Sequence, residues 1–154
     1  MKTKTIAWFN CYLLLITVLL CGCSNLTVQK AAEREETQKI INQVKNSRLI
    51  ILNVYHNRCE SCQLIEPVIE KLQADYSQDT KIAFLKYDLS NLFTILKSRK
   101  LAKELGLENI YKSQKYSGIV LFIDTQSKQV LDTLIGEYNV SRYNEIIKKR
   151  LNAT

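Results

Sequence analysis

The sequence contains little histidine, little proline and no continuous block of positive charge. Of its 154 residues, one is histidine (His56) and one is proline (Pro67). Only two cysteines, Cys59 and Cys62, lie near His56 in the sequence, so a closed structural zinc site there would lack its fourth ligand. The net charge is +7, but the basic residues are mixed with acids and form no patch interleaved with aromatics. The composition therefore gives no indication of a nucleic-acid-binding surface, and the chain shows no internal repeat.

The N-terminus has the layout of a secretory signal. Lys2 and Lys4 form a basic region, residues 6–20 form an apolar region, and the sequence Leu-Cys-Gly-Cys ends at Cys23. This order is typical of a signal peptide rather than of a fold element. Leu-x-Gly-Cys is similar to the bacterial lipobox. That resemblance implies that Cys23 is lipidated and becomes the mature N-terminus.

The remaining chain is long enough for one domain of ordinary size. We predict a signal peptide over 1–22, the lipidated cysteine and a tether over 23–31, and a folded domain over 32–154. An uncleaved anchor is the alternative, because about 18 apolar residues can just span a bilayer. Both alternatives predict a membrane-anchored protein of the cell envelope that faces out of the cytosol.

Only two of the cysteines lie in the predicted folded domain. Of the five cysteines, Cys11 and Cys21 lie in the predicted signal and Cys23 is the predicted lipid site. Cys59 and Cys62 remain in the domain. In an oxidising compartment such a pair is either a disulfide or a redox couple. Because a two-residue spacer closes a very small loop, it restrains the unfolded chain little, and redox or metal chemistry is the stronger interpretation.

The Cys-x-x-C motif lies where a strand passes into a helix. The apolar run over 49–55 predicts a buried strand, and residues 64–72 have apolar side chains at helical spacing. Cys59 is then placed at a helix N-terminus, where free N–H groups and the helix dipole favour a thiolate. We predict Cys59 as the attacking thiolate and Cys62 as the resolving thiol.

Three residues near the pair are candidate modulators. Arg58 should lower the pKa of Cys59 and Glu60 should raise it. His56 is a third candidate, or else an ordinary loop histidine without function. Together with Cys59 and Cys62 it could also complete a set of three ligands suited to copper or zinc.

The hydrophobic pattern over the rest of the chain predicts alternating helices and strands. We predict helices over 32–45, 60–76, 92–105 and 140–151, strands over 48–56, 81–88, 119–124 and 129–135, and an irregular polar loop over 108–116. Gly106 is expected to end the third helix, and Ser141 is a candidate cap for the last one.

Element order and motif together resemble the thioredoxin superfamily. Cys59 and Cys62 match its active-site pair, Pro67 falls where thioredoxins place a proline in the following helix, and Gly136 fits the glycine after the last strand. The resemblance covers most of residues 32–152. It implies a three-layer α/β/α fold with a central mixed sheet of about four strands. It also implies exchange with protein thiols or disulfides, without a cofactor or nucleic acid, by a protein that we expect to be a monomer.

The sequence departs from the thioredoxin pattern at three places. Arg58 replaces the tryptophan before the first cysteine, and Asn53 replaces the buried aspartate that accepts a proton. Tyr116 and Ser117 align with the segment that carries a cis-proline, and a trans bond is expected there because a cis bond without proline costs about 3 kcal/mol. Both are candidate substrate-docking residues. The segment between Asp88 and Ser117 is longer than in a minimal thioredoxin and is expected to form a lid or partner surface.

The sequence therefore predicts a membrane-tethered thiol–disulfide oxidoreductase. One alternative is a redox-inactive binding module of the same fold, which Asn53 and Ser117 would permit. Another is a carrier of copper or a similar metal through Cys59, Cys62 and His56. Whether the pair acts as reductant, oxidant or isomerase is left open by the sequence.

Overall fold

The structure is a computed structural model that describes residues 28–152. The predicted signal peptide, with Cys11, Cys21 and the lipidation site Cys23, lies outside the described residues. The chain divides into two compact units, Met1–Lys39 and Ile40–Thr154. In the first unit the described residues, 28–39, are helical. Within 28–152 no helix is both long and apolar enough to cross a membrane.

The second unit opens with the helical residues 40–46 (α1) and continues as an alternation of strands and helices. Its further elements are β1 (Leu49–Tyr55), α2 (Glu60–Asp75), β2 (Ile82–Asp88), α3 (Leu92–Glu104), α4 (Glu108–Ser113), β3 (Ile119–Asp124), β4 (Val130–Ile135) and α5 (Val140–Asn152). The strands form one sheet in the order β2-β1-β3-β4. β1 and β2 are parallel, whereas β3 is antiparallel to both β1 and β4. The predicted α/β class and mixed four-stranded sheet are confirmed.

The sheet is covered on both faces, so the fold has three layers. β1 is its central strand and is almost continuously apolar, as expected of a strand buried on both sides. One core cluster joins alternate residues of β1 to α1, α3 and α4, and the other joins the remaining residues to α2 and α5. The parallel strands β1 and β2 have their C-terminal ends at the same end of the sheet, and α2 begins there.

At this end of the sheet, the loop after β1 and the loop after β2 are hydrogen-bonded to each other. The N–H of Leu89, just after β2, donates to the carbonyl of Tyr55 at 2.8 Å. The N–H of Asn57 donates to Ser90 Oγ at 2.9 Å. The chain entering α3 therefore supports the loop that leads from β1 into Cys59.

Two local predictions were wrong. The segment over 108–116 is not wholly irregular, since α4 forms there. Leu107 and Tyr111, four positions apart, are both buried and hold this short helix on the core. Ser141 does not cap α5. The side chain of Asn139 accepts the N–H of Ser141 at 3.0 Å and caps the helix instead.

Candidate functional site

Cys59 is the N-cap residue of α2. Its backbone is extended, and its Sγ accepts the N–H of Cys62 at 3.2 Å. The Cys59 N–H in turn donates to the His56 carbonyl at 3.0 Å, which fixes the turn between strand and helix. The half-buried sulfur thus lies at the positive end of the helix, where a negative charge is stabilised.

Cys62 lies one turn further along α2 and is fully buried. Its Sγ points to the Val54 carbonyl of the central strand at 3.9 Å. Both cysteines are free thiols. The two thiols therefore differ in access, because solvent reaches Cys59 and not Cys62.

The surroundings shift the two pKa values in opposite directions. Burial raises the pKa of Cys59, but hydrogen bonds from the Cys62 thiol, the Ser117 hydroxyl and the N–H groups of Cys62 and Ser61 outweigh it and leave the pKa lowered. Burial raises the pKa of Cys62, and its hydrogen bond to Cys59 raises it further. Cys59 therefore ionises at a lower pH than Cys62 does, because its pKa is lowered whereas that of Cys62 is raised.

Ser117 and Gly118 form one side of the site. The hydroxyl of Ser117 lowers the pKa of both thiols. The expected trans bond at Tyr116–Ser117 is confirmed, since the described residues contain no cis peptide. Gly118 has φ +77°, and a Cβ there would lie 3.2 Å from Ser61 Cβ and 3.5 Å from Cys59 Sγ. The absence of a side chain at Gly118 thus allows the start of β3 to approach the Cys59–Cys62 motif closely.

Tyr138 reaches the motif from the loop between β4 and α5. Its hydroxyl donates to Ser61 Oγ at 3.2 Å. The loop is held by Glu137, whose Oε1 accepts the N–H groups of Tyr138 and Asn139, each at 2.9 Å. Tyr138 therefore links the end of the sheet to the spacer between the two cysteines.

Asn53 lies in β1 beneath the site and is 2% exposed. Its Nδ2 donates to Glu66 Oε2 at 3.4 Å, as expected for a core amide. Its Oδ1 is buried and has no hydrogen-bond partner among the described residues. Glu66 is ion-paired with Lys86 at 2.7 Å, and the Lys86 ammonium lies 3.6 Å from the centre of the Tyr55 ring. The carboxylate that the Asn53 amide contacts is therefore on α2 and half-exposed, not in β1.

The charged residues of the motif are solvent-exposed. Arg58 donates its N–H to His56 Nδ1 at 3.0 Å, and neither Arg58 nor Glu60 is among the groups that shift the pKa of Cys59. Their modulation of that pKa stays a prediction. Within 28–152 no three His, Cys, Asp or Glu side chains are placed together to hold a metal ion, so the structure does not bring His56 and the two cysteines together as a ligand set.

The remaining predicted residues lie around the motif. Pro67 is exposed, and α2 continues through it. Tyr116 is 75% exposed and adjoins Ser117 at the mouth of the site, although the docking role of both residues stays a prediction. The sequence interpretation missed Ser61 and Tyr138, because a contact between residues 77 positions apart leaves no local pattern.

The thioredoxin family model matches residues 28–104, half of the chain. The chain belongs to the thioredoxin family. Among solved structures, a thioredoxin candidate from Neisseria meningitidis is 15% identical with a TM-score of 0.53, over 73% of this chain and 80% of that one. Trxlp from Edwardsiella tarda EIB202 is 18% identical with a TM-score of 0.46, over 68% and 86% of the two chains. No curated protein matches the chain. At 15% identity the Neisseria meningitidis structure shows a shared fold alone, and the Cys59–Cys62 spacing supports thiol chemistry on that fold.

Proposed function

We propose that this protein is a thiol–disulfide oxidoreductase of the cell envelope, tethered to the membrane and facing out of the cytosol. The observation that carries the proposal is the asymmetry of the cysteine pair. Cys59 is accessible at a helix N-terminus with a lowered pKa, whereas Cys62 is buried with a raised one. An attacking thiol needs the first environment and a resolving thiol tolerates the second.

The exchange consists of two displacements. The Cys59 thiolate attacks one sulfur of a protein disulfide, a Cys59–substrate bond forms, and the other substrate sulfur leaves as a thiolate and takes up a proton. Cys62 then loses its proton and attacks Cys59 Sγ, which releases the second substrate thiol. The substrate gains two electrons, and Cys59 and Cys62 become a disulfide. Running the steps backwards oxidises a dithiol.

The second displacement is the slower one in this proposal. Cys62 must ionise although burial raises its pKa, and Asn53 cannot accept the proton because an amide has no basic site near neutral pH. Resolution should therefore accelerate as the pH rises towards the ordinary thiol range of about 8.5.

The chemistry is tested by a redox titration of the full chain in graded glutathione buffers, with the thiols trapped and assigned to peptides by mass spectrometry. A reversible two-electron transition at Cys59–Cys62 is expected, and its midpoint says whether the protein tends to reduce or to oxidise. A pair that never closes, or never opens, would contradict the proposal and favour the redox-inactive binding module. Peptide assignment separates this pair from Cys11, Cys21 and Cys23.

The tether is supported by the sequence of the N-terminus, through the basic start, the apolar stretch and the Leu-Cys-Gly-Cys ending at Cys23. Its test is the mass of the mature N-terminal peptide. A diacylglyceryl-type mass increase on Cys23 is expected, together with loss of membrane fractionation in Cys23→Ala. An unmodified Cys23 within an intact N-terminus would support the uncleaved anchor instead.

A further inference from the structure

The first turns of α3 expose three large apolar side chains. Leu92, Phe93 and Leu96 are 71%, 72% and 57% exposed. The helix start beneath them is well defined, because Asn91 and Thr94 form a capping box. The apolar groups therefore project from an ordered helix. Exposed apolar side chains placed this close together indicate a contact surface.

This end of α3 lies beside the redox motif. Ser90, two residues before the helix, accepts the N–H of Asn57 at 2.9 Å, and Asn57 is two residues before Cys59. Leu89 is bonded to the end of β1 in the same way. A macromolecule that brings its disulfide to Cys59 can therefore contact the start of α3 as well.

The same face of the helix becomes cationic towards its C-terminus. Spacings of four, four and three residues place four side chains on one face, namely Leu92, Leu96, Lys100 and Lys103. Both lysines are exposed, and α3 contains no acid before its last residue, Glu104. With Phe93, these four residues are called the α3 face.

We propose that the α3 face docks the protein substrate, through an apolar segment that is followed by acidic side chains and lies next to the reacting disulfide. This inference rests on the proposed function. The apolar half of the face is nearest to the redox motif, so the apolar part of the substrate lies closest to its disulfide. The acidic part then meets Lys100 and Lys103.

The arrangement of charge favours a polypeptide over a membrane. A helix that lies in a membrane interface carries its apolar residues along one side and its cations along the other. On the α3 face the lysines continue the line of the leucines, so lying on a bilayer would immerse Lys100 and Lys103 too. A segment that changes from apolar to acidic along its length matches this face without burying an unpaired charge.

The test uses two synthetic peptides with the same intramolecular disulfide ring. One carries a Leu-Leu-Phe segment followed by Glu-Glu-Glu, and the other carries Ser-Ser-Ser followed by Gln-Gln-Gln. KM for reduction of each peptide is measured with the full chain, and binding of each to the Cys59→Ser variant is measured by fluorescence anisotropy. The binding arm requires no turnover, so it tests docking even if the proposed redox function fails.

The apolar–acidic peptide should be preferred by roughly tenfold or more, both in KM with the wild-type protein and in binding to Cys59→Ser, since two or three apolar side chains are partly buried. The double substitution Leu92→Ser and Phe93→Ser should remove this preference. Val130→Ser is the matched control, because Val130 is exposed at the opposite end of the sheet. It should leave the preference unchanged.

Equal KM of the two peptides with the wild-type protein, together with equal binding to Cys59→Ser, would overturn the inference, as would a preference that survives the double substitution. The variants are also tested for sedimentation with phosphatidylglycerol vesicles. A double substitution that lowers vesicle binding and leaves peptide preference intact would assign the α3 face to the membrane and contradict docking of a polypeptide. No reduction of either peptide, with the binding preference retained, would instead contradict the redox function alone.

Discussion

The two sides of the site around Cys59 differ in whether they contact the cysteines directly. On one flank, here called the thiol flank, Ser117 and Gly118 lie against the cysteines, and Tyr138 reaches the spacer between them. On the other flank, the α3 face is joined to the motif through loop hydrogen bonds, from Asn57 to Ser90 and from Leu89 to Tyr55. With the proposed docking role of the α3 face, thiol reactivity and substrate recognition belong to separate elements. Substitutions on the thiol flank should change the pH dependence of Cys59, whereas those on the α3 face should change KM.

The largest effect is expected from Gly118→Ala. The positive φ alone should cost about 1–2 kcal/mol of the free energy of unfolding, and the new Cβ, 3.2 Å from Ser61 Cβ, should also displace the motif. Gly106→Ala is the control, because Gly106 has φ +70° but its Cβ would meet only the end of Lys128 at 3.9 Å. Urea unfolding should show a loss in both variants. The alkylation rate of Cys59 should fall in Gly118→Ala alone, and an equal rate in both would contradict a close approach at Gly118.

A smaller effect is expected from Ser117→Ala, which removes a hydroxyl donor to the Cys59 thiolate. The alkylation rate of Cys59 at neutral pH should fall about threefold to tenfold, as for loss of one hydrogen bond to a charged group at a half-exposed site. The sign follows from the lowered pKa of Cys59. In the wild-type protein, Cys59 stays reactive as the pH falls below the ordinary thiol pKa, and it loses reactivity only below its own lowered pKa. In Ser117→Ala that pKa is less lowered, so the loss of reactivity begins at a higher pH. Ser127→Ala, in the distant hairpin, should not change the profile.

On the α3 face, the double substitution Lys100→Gln and Lys103→Gln should raise KM for the apolar–acidic peptide by about threefold at low salt. The ratio of variant to wild-type KM should approach one as salt rises, because exposed charges are screened. Steady-state kinetics at two ionic strengths measure both values. A shift in the pH profile of Cys59 alkylation, without any change in KM, would remove the distinction between the flanks.

The smallest effect is expected from Tyr138→Phe. One half-exposed hydroxyl pair is lost, so its coupling with Ser61→Ala should be about 0.5 kcal/mol in a double-mutant cycle of urea unfolding. Additive effects of the two substitutions would mean that the Tyr138–Ser61 hydrogen bond contributes nothing. The cycle thus measures whether Tyr138 contributes to the stability of the thiol flank through Ser61.

Sequence patterns were sufficient for the fold class and for placing Cys59 and Cys62 at the start of a helix, because both depend on local patterns. The apolar run of β1, the helical spacing after Cys62 and the glycine after α3 each lie within a short window. Contacts across the chain were not predictable in this way. The bond from Tyr138 to Ser61 and the ion pair from Lys86 to Glu66 depend on how α2 packs beside β2 and the loop after β4. The helix α4 was missed because it has only six residues and is held on the core by the burial of Leu107 and Tyr111.

The measurement that most directly tests the assigned roles is the trapping of a mixed disulfide with a disulfide-containing peptide. In Cys62→Ser, the first displacement can occur and the second cannot, so a covalent adduct at Cys59 should accumulate and be found by mass spectrometry. In Cys59→Ser, the buried Cys62 should form none. An adduct at Cys62, or no adduct in either variant, would contradict the account of Cys59 as the attacking thiolate and Cys62 as the resolving thiol.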